Sequence, residues 1–279
     1  MDKNKKYLIT GGTGFIGEAL VERLIKDGYY NLVVISRNEG SLVMLRNKFP
    51  QLEIITGDIA DVFCIEKACQ GVSGIFHVAA QKFLDIGEEQ PRQCVRTNII
   101  GTMNLLAYTM RHKIDFIVGV SSDKSMSVNS VYAATKLIFE KLFQEYEQLN
   151  PDTKYKLVRF GNVVYSTGSV LTKWKDSILR GEPISITDPN ATRFFWSKDN
   201  AVDLILSSLD SLGSKPNFTG MKSISIRDLL AVMLRKYGTV EVKEIGLQQG
   251  ETLHERIDDS LPDSSKAEKF TLAEIEKII

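Results

Sequence analysis

Tyr7-Leu8-Ile9-Thr10-Gly11-Gly12-Thr13-Gly14-Phe15-Ile16-Gly17 is the stretch that decides how this chain folds. Four strand-forming residues run straight into a glycine-rich turn, and a helical pattern begins at Glu18. Each glycine has a physical use in such a turn. One makes the bend tight, one lets backbone N–H groups approach a pyrophosphate, and one lets the helix pack close on the strand. The helix N-terminus then faces the phosphate charge. Glycine-rich turns are common, so the weight rests on the strand–turn–helix context at the start of an alternating pattern. In that context Gly11, Thr13, Gly14, Phe15, Ile16 and Gly17 are candidate contacts of a dinucleotide.

Outward from this turn, short β-branched runs alternate with amphipathic stretches. The strands expected are 7–10, 31–35, 53–56, 74–78, 116–120 and 155–159, and the helices 18–26, 41–48, 62–69, 93–111 and 133–149. Such alternation implies βαβ units, hence a doubly wound, parallel, Rossmann-like α/β sheet with helices on both faces. Residues 1–160 form the expected dinucleotide-binding domain. Beyond it the rhythm changes, with helices at 171–179, 201–209, 226–236 and 272–279 between loops such as Gly181-Glu182-Pro183 and Asp188-Pro189-Asn190. Residues 161–279 are expected to form a smaller substrate-binding region.

The end of the second strand bears on the choice of cofactor. An enzyme for NAD usually has an acid there for the ribose 2′-hydroxyl. This chain has Ser36-Arg37-Asn38, and Arg37 offers a planar fork for a 2′-phosphate. NADP is therefore expected, although an arginine there is also an ordinary solvated charge. Gly57-Asp58-Ile59 closes the third strand, where Asp58 can accept from the adenine amino group or cap the next helix.

Tyr132-Ala133-Ala134-Thr135-Lys136 places a phenol and an ammonium at i and i+4 on one helical face. A nearby ammonium lowers a phenol's pKa, so the tyrosinate could take a proton from an alcohol whose carbon gives up hydride. The pattern is frequent by chance; the strand at 116–120 and the polar loop Ser121-Ser122-Asp123-Lys124 before it give it meaning. Lys124 beside Asp123 would, by spacing alone, be an ordinary surface ion pair. His77 and His254 are expected to be structural, as are Trp174 and Trp196. Phe139, Leu142, Phe143 and Tyr146 are expected in the core or at a subunit interface.

Composition narrows the function classes. The 279 residues carry 35 basic and 35 acidic side chains, giving no reason to expect nucleic acid or an anionic membrane as partner. Cys64, Cys69 and Cys94 lack metal-type spacing, so reduced thiols and no metal are expected. No apolar run approaches the roughly 20 residues of a membrane helix, and Met1-Asp2-Lys3-Asn4-Lys5-Lys6 does not resemble a signal peptide. A soluble cytoplasmic protein is expected. Apolar residues on more than one face of the helix after Tyr132 suggest a homo-oligomer using that helix and the one at 93–111.

With these residues in view, the chain resembles the extended short-chain dehydrogenase/reductases. More narrowly, it is similar to the soluble UDP-N-acetylglucosamine 4,6-dehydratases, including the inverting 4,6-dehydratase/5-epimerases. The similarity is carried by Phe76-His77-Val78-Ala79-Ala80-Gln81-Lys82, Thr97-Asn98-Ile99-Ile100-Gly101-Thr102 and Ser122-Asp123-Lys124 nine positions before Tyr132. Arg159-Phe160-Gly161-Asn162-Val163, Thr167-Gly168-Ser169-Val170, Asp188-Pro189, Thr192-Arg193-Phe194-Phe195 and Gly250-Glu251-x-x-His254-Glu255 carry it further. The chain departs from the pattern at Phe83-Leu84-Asp85, at Ala133 and at Gln248.

The resemblance implies oxidation of the sugar at C4, loss of the C5 proton and the C6 hydroxyl as water, and return of hydride to C6. It casts Tyr132 and Lys136 in the redox step, Lys124 as C5 base, Asp123 as the acid for C6, and Ser122 as the group orienting the C4 oxygen. It adds Ala79, Ala80, Lys82, Asn98 and Val163 to the cofactor side, with Ser36, Arg37, Asp58 and Ile59. Lys82, Asn162, Val170, Arg193 and Glu251 fall on the UDP-sugar side. A sugar-nucleotide epimerase or reductase on the same scaffold would not need both Asp123 and Lys124. A non-enzymatic dinucleotide sensor would not need the Tyr132–Lys136 pair.

Overall fold

The computed structural model describes residues 1–279. The first half runs β1 (Lys6–Thr10), α1 (Phe15–Lys26), β2 (Leu32–Ser36), α2 (Glu39–Lys48), β3 (Glu53–Thr56), α3 (Val62–Ala68) and β4 (Val72–His77). There follow α4 (Leu84–Glu89), α5 (Pro91–Val95), a wide π turn at Arg96–Ile100, α6 (Gly101–Arg111) and β5 (Phe116–Val120). A 3-10 turn at Asp123–Met126 leads to α7 (Val131–Leu149) and β6 (Lys154–Val158). The second half holds β7 (Asn162–Val163), α8 (Val170–Leu179), β8 (Ile184–Ile186), β9 (Thr192–Trp196), α9 (Lys198–Ser207), β10 (Pro216–Asn217), β11 (Ser223–Ser225), α10 (Ile226–Tyr237), β12 (Val242–Glu244) and α11 (Leu272–Ile278).

Seven parallel strands form the main sheet in the order β10-β6-β5-β4-β1-β2-β3. Side chains alternate across it, as the strand period of two demands. Tyr7, Ile9, Leu32 and Val34 enter a core with α1, α2 and α9. Leu8, Val33 and Ile35 enter a second core with α3, α6 and α7. Phe139 and Phe143 lie in that second core and Leu142 and Tyr146 pack on it, so the aromatic stripe of α7 is interior. A third core, with Trp174, Leu229, Val232 and Ile275, holds the C-terminal region together beside two small sheets, β11-β9-β7 and β12-β8.

Chain order reverses between β1 and β4, which pair with Thr10 opposite His77. Doubly wound sheets leave a crevice at the C-terminal ends of the strands at such a switch point. Residues 198–218 return to the main sheet: α9 packs beside α1, Arg23 bonds Asp203 at 2.6 Å, and β10 extends the sheet past β6. The expected helix at 93–111 is broken by the π turn. No helix is long and apolar enough to cross a membrane.

Candidate active site

A cavity of about 860 Å³ opens at the switch point. On its floor lie Gly11, Thr13, Gly14, Phe15, Ile16 and Gly17. Gly11 has φ +67°, and a Cβ there would come within 2.8 Å of the Ala79 backbone. A Cβ on Gly17 would stand 2.1 Å from the Gly11 carbonyl oxygen, so the loop tolerates no side chain where it curls under α1. Gly14, the N-cap of α1, offers its helix no side-chain cap. Its first-turn N–H groups are thus left for an anion. These features fit a dinucleotide pyrophosphate.

Ser36, Arg37, Asp58 and Ile59 line the adjoining wall. The Ser36 and Thr13 hydroxyls are 2.8 Å apart, fixing the loop against the end of β2. Asp58 accepts from the Ala60 N–H at 3.0 Å and pairs with Arg96 at 3.3 Å. It does not cap α3; Asp61 does that, accepting from the Phe63 N–H at 2.9 Å. Arg37, Asp58, Arg92 and Arg96 share a second hollow beside the cavity.

The end of β4 supplies Ala79, Ala80, Gln81 and Lys82 to the lining. Asn98, expected at the cofactor, does not line the cavity. Its carboxamide is spent on Gln81, accepting from the N–H at 2.8 Å and donating to the carbonyl at 2.9 Å, so it shapes this wall from behind. Two polar atoms in the lining, Gln81 Nε2 and Thr97 Oγ1, are buried without a hydrogen-bond partner, the condition a bound polar ligand would relieve. His77 lies wholly within the protein. Thr102 donates its only proton to the Asn98 carbonyl at 2.7 Å, so His77 Nε2–H donates to Thr102 at 2.9 Å and Nδ1 accepts from Thr10 at 2.8 Å. That tautomer is neutral, and burial pushes its pKa down to about 3.

The opposite wall carries the expected catalytic groups: Ser122, Asp123, Lys124, Tyr132 and Lys136 all line the same cavity. Ser122 donates to Asp123 Oδ1 at 2.7 Å, and Lys124 Nζ donates to Asp123 Oδ2, also at 2.7 Å. Beneath this turn Glu140 accepts from Ser121 at 2.5 Å, from Ser125 at 2.8 Å and from Arg159 Nη2 at 2.7 Å. Arg159 reaches on to the Ile257 carbonyl at 2.6 Å, tying the loop after β5 to the C-terminal region.

The phenol corrects one expectation. Burial pushes the Tyr132 pKa up, with the Ser122 hydroxyl working against it; Lys136 is not among its influences. Lys136 Nζ instead donates to the Val120 carbonyl at 2.6 Å and stands 4.4 Å over the Phe139 ring, and burial lowers its pKa to about 8.

Lys124 has a second partner that sequence spacing did not single out. Glu255, its side chain 2% exposed, accepts from Lys124 Nζ at 2.5 Å, from Asn162 Nδ2 at 3.1 Å and from the Phe194 N–H at 2.9 Å, with Arg193 Nε at 3.5 Å. Burial alone would make the Lys124 ammonium less stable, but the Asp123 and Glu255 carboxylates outweigh it and raise the pKa. Burial likewise opposes the charged form of Glu255, yet Lys124 and Arg193 pull its pKa down. Asp123 is left with a raised pKa, because burial exceeds what the shared lysine returns. Asp123 therefore takes up a proton more readily than an ordinary carboxylate, while the base assigned to Lys124 rests as a cation.

On the substrate side Lys82, Asn162, Val170, Arg193 and Glu251 line the cavity, as does Val163, expected on the cofactor side. Lys82 Nζ donates to the Thr167 carbonyl at 3.1 Å. Arg193 is largely engaged within the protein, with the Thr192 and Leu253 carbonyls at 3.0 and 3.2 Å. Trp174 is buried and donates to the Ser185 carbonyl at 3.0 Å; Trp196 stacks on Phe160; His254 bonds Thr192.

Residues 7–275 match the family described as polysaccharide biosynthesis protein. A UDP-N-acetylglucosamine 4,6-dehydratase (inverting) of Campylobacter jejuni is 32% identical over 262 residues, covering 91% of this chain and 78% of its own. A UDP-glucose 4-epimerase of Rickettsia rickettsii is 30% identical over 264 residues, covering 91% and 77%. Among solved structures, Pen from Bacillus thuringiensis superposes with a TM-score of 0.93 at 28% identity, over 99% of this chain and 96% of that one.

Proposed function

The chain belongs to the polysaccharide biosynthesis protein family, as an extended short-chain dehydrogenase/reductase, and from that premise we propose that it dehydrates UDP-GlcNAc to a 4-keto-6-deoxy sugar nucleotide, with NADP as cofactor. One observation carries this reading: Asp123, 5% exposed and with a raised pKa, lines the same cavity as Tyr132 and Lys136. A hydride-transfer enzyme needs a proton acceptor for the alcohol, and elimination needs in addition a carboxyl group that takes up a proton readily and can deliver it to the leaving oxygen.

The dinucleotide supplies a reversible hydride acceptor when bound; Gly11, Thr13, Gly14, Phe15, Ile16 and Gly17 would hold its pyrophosphate, and Arg37 a 2′-phosphate. Tyr132, after giving its phenol proton to solvent, takes the proton of the C4 hydroxyl, with Ser122 orienting that oxygen. Lys136, at i+4 on α7, places a cation on the same helical face as the phenol. Lys124 passes its ammonium proton to Asp123, 2.7 Å away; the amine so formed removes the C5 proton, and Asp123 delivers the proton it received to the departing C6 oxygen. Lys82, Asn162, Val170, Arg193 and Glu251 would face the UDP-sugar, held by the region 161–279 against the dinucleotide-binding domain at 1–160. The three unpaired cysteines accord with a cytoplasmic enzyme.

A 4-epimerase is the second reading, favoured by the Rickettsia relative of that name. Mass spectrometry of UDP-GlcNAc incubated with the protein separates the two: loss of water supports dehydration, while unchanged mass with a new C4 epimer supports epimerisation. In deuterated water the dehydration product should carry one deuterium at C5. Tyr132→Phe should abolish both the redox signal and the product. Asp123→Asn should leave reduced-nicotinamide absorbance visible while product formation falls by about 10²–10⁴-fold.

A further inference from the structure

Glu255 is the one carboxylate on which three candidate site residues from three separate elements converge. Lys124 comes from the turn after β5, Asn162 from β7 and Arg193 from β9; the first two donate hydrogen bonds to it and the Arg193 guanidinium pairs with it at 3.5 Å. The carboxylate is itself fixed. Its oxygen accepts from the Phe194 N–H at 2.9 Å, and its own backbone N–H donates to Ser264 Oγ at 2.8 Å. Ser264 also donates its N–H to the Glu255 carbonyl at 2.9 Å, so the residue is clamped by main chain on both sides. We propose that Glu255 is a positioning residue for the proton-transfer step: it holds the Lys124 side chain at Asp123 and keeps it an ammonium until substrate arrives.

Charge balance supports this role. The groups facing Lys124 are Asp123 on its own turn, Tyr132 from α7 and Glu255 from the C-terminal segment, with Arg193 behind Glu255. With both carboxylates ionised and Tyr132 neutral, the Asp123–Lys124–Glu255 group carries one net negative charge. Arg193 offsets it at 3.5 Å. A neutral amine at position 124 would leave two buried carboxylates against Arg193 alone, an unfavourable state at this depth. Removing the Glu255 charge leaves Asp123 as the one carboxylate holding the ammonium. An opposite charge within about 4–6 Å typically moves a pKa by about one to three units.

The test has two arms. The first needs no catalysis: competitive acetylation of Lys124 in the folded protein, followed by mass spectrometry across pH. Glu255→Gln should move the reactivity midpoint of Lys124 down by about one to three pH units, and Glu255→Asp, which keeps the charge, should move it back toward wild type. An unmoved midpoint in Glu255→Gln, with an intact near-ultraviolet spectrum, overturns the proposal. Should Glu255→Gln not fold, Glu255→Asp decides: its carboxylate, one methylene farther from Lys124, should give a midpoint lower than wild type by less than the full shift of about one to three pH units, and a midpoint equal to wild type overturns the proposal. The second arm rests on the dehydratase reading: the rising limb of the elimination pH profile should shift downward in Glu255→Gln. Wild type that forms no dehydrated product sinks that reading and leaves the acetylation result standing. Wild type that dehydrates, with an unshifted limb in Glu255→Gln, sinks the role of Glu255.

Discussion

Replacing Arg37 with alanine tests the cofactor assignment, and the structure sets the size of the effect. Arg37 is exposed at the end of β2 and lines both the cavity and the hollow beside it. Arg96, in the same hollow, is already paired with Asp58 at 3.3 Å. A 2′-phosphate at Arg37 therefore gains hydrogen bonds that cost no existing ion pair, whereas at Arg96 it competes with a carboxylate. Hydrogen bonds to charged groups contribute roughly 1.5–3 kcal/mol, and exposure keeps the total near the low end, about 2 kcal/mol. At about 1.4 kcal/mol per tenfold, Arg37→Ala should weaken NADP binding by about 30-fold. NAD, with a hydroxyl in that place, should weaken by less than about 3-fold. Arg96→Ala should cost NADP only about 2- to 5-fold, as for an exposed pair. Isothermal calorimetry of both dinucleotides gives the values, and raising salt from about 0.05 M to about 0.5 M should narrow the gap by screening. Equal losses for NADP and NAD in Arg37→Ala, or tighter NAD binding by the wild type, would refute the reasoning.

Three further outcomes are expected. Glu140→Ala strands the buried Arg159 guanidinium and two serine hydroxyls; breaking such a pair costs about 3–5 kcal/mol, and a loss under about 1 kcal/mol by urea unfolding would show that the bridge does not hold the loop. His77 is neutral in the fold, with its pKa pushed from 6.5 down to about 3; the unfolded chain binds a proton first, so this contribution is complete above pH 6.5 and is lost as pH falls from there toward 3. By pH 5 the loss should reach roughly 2 kcal/mol, and a melting temperature of His77→Asn that depends on pH as steeply as the wild type's would count against it. Met103 and Met110 of α6 and Leu137 and Ile138 of α7 remain exposed on one chain, so light scattering at micromolar concentration should give at least a dimer, and Met103→Lys with Ile138→Lys should shift it toward monomer; a monomeric wild type excludes this pairing.

The main sheet was legible because each of its first six strands carries at least two adjacent strand-forming apolar residues between turn signals. The expected 74–78 and the observed Val72–His77 differ only at the ends. The short elements outside those six strands left no such trace. Helix α4 contains Gly87, and β7 has two residues paired only with distant β9. The π turn was invisible because it shifts the helical period without changing residue type, and that shift places Asn98 behind the wall rather than in it. Within the site, the glycine loop, Asp123–Lys124 and Tyr132–Lys136 could be read because their partners lie within a few residues. Glu255 lies 131 positions from Lys124, a separation at which no spacing rule operates. The phenol was misread for a related reason: i,i+4 spacing gives a shared face, but whether an ammonium points at its neighbour is settled by competing acceptors such as the Val120 carbonyl.

The return of the chain to its first sheet bears on how the protein can be made and taken apart. Until residues 216 and 217 have left the ribosome, the outer edge of β6 has no neighbour, and the apolar side of α1 lacks α9. A nascent or truncated chain ending near residue 160 would carry an open, pairing-competent edge of the kind that seeds intermolecular strand addition. The C-terminal region therefore cannot be exchanged as a cassette at that point; an exchangeable unit would have to leave 198–218 with the N-terminal half, as an interleaved graft.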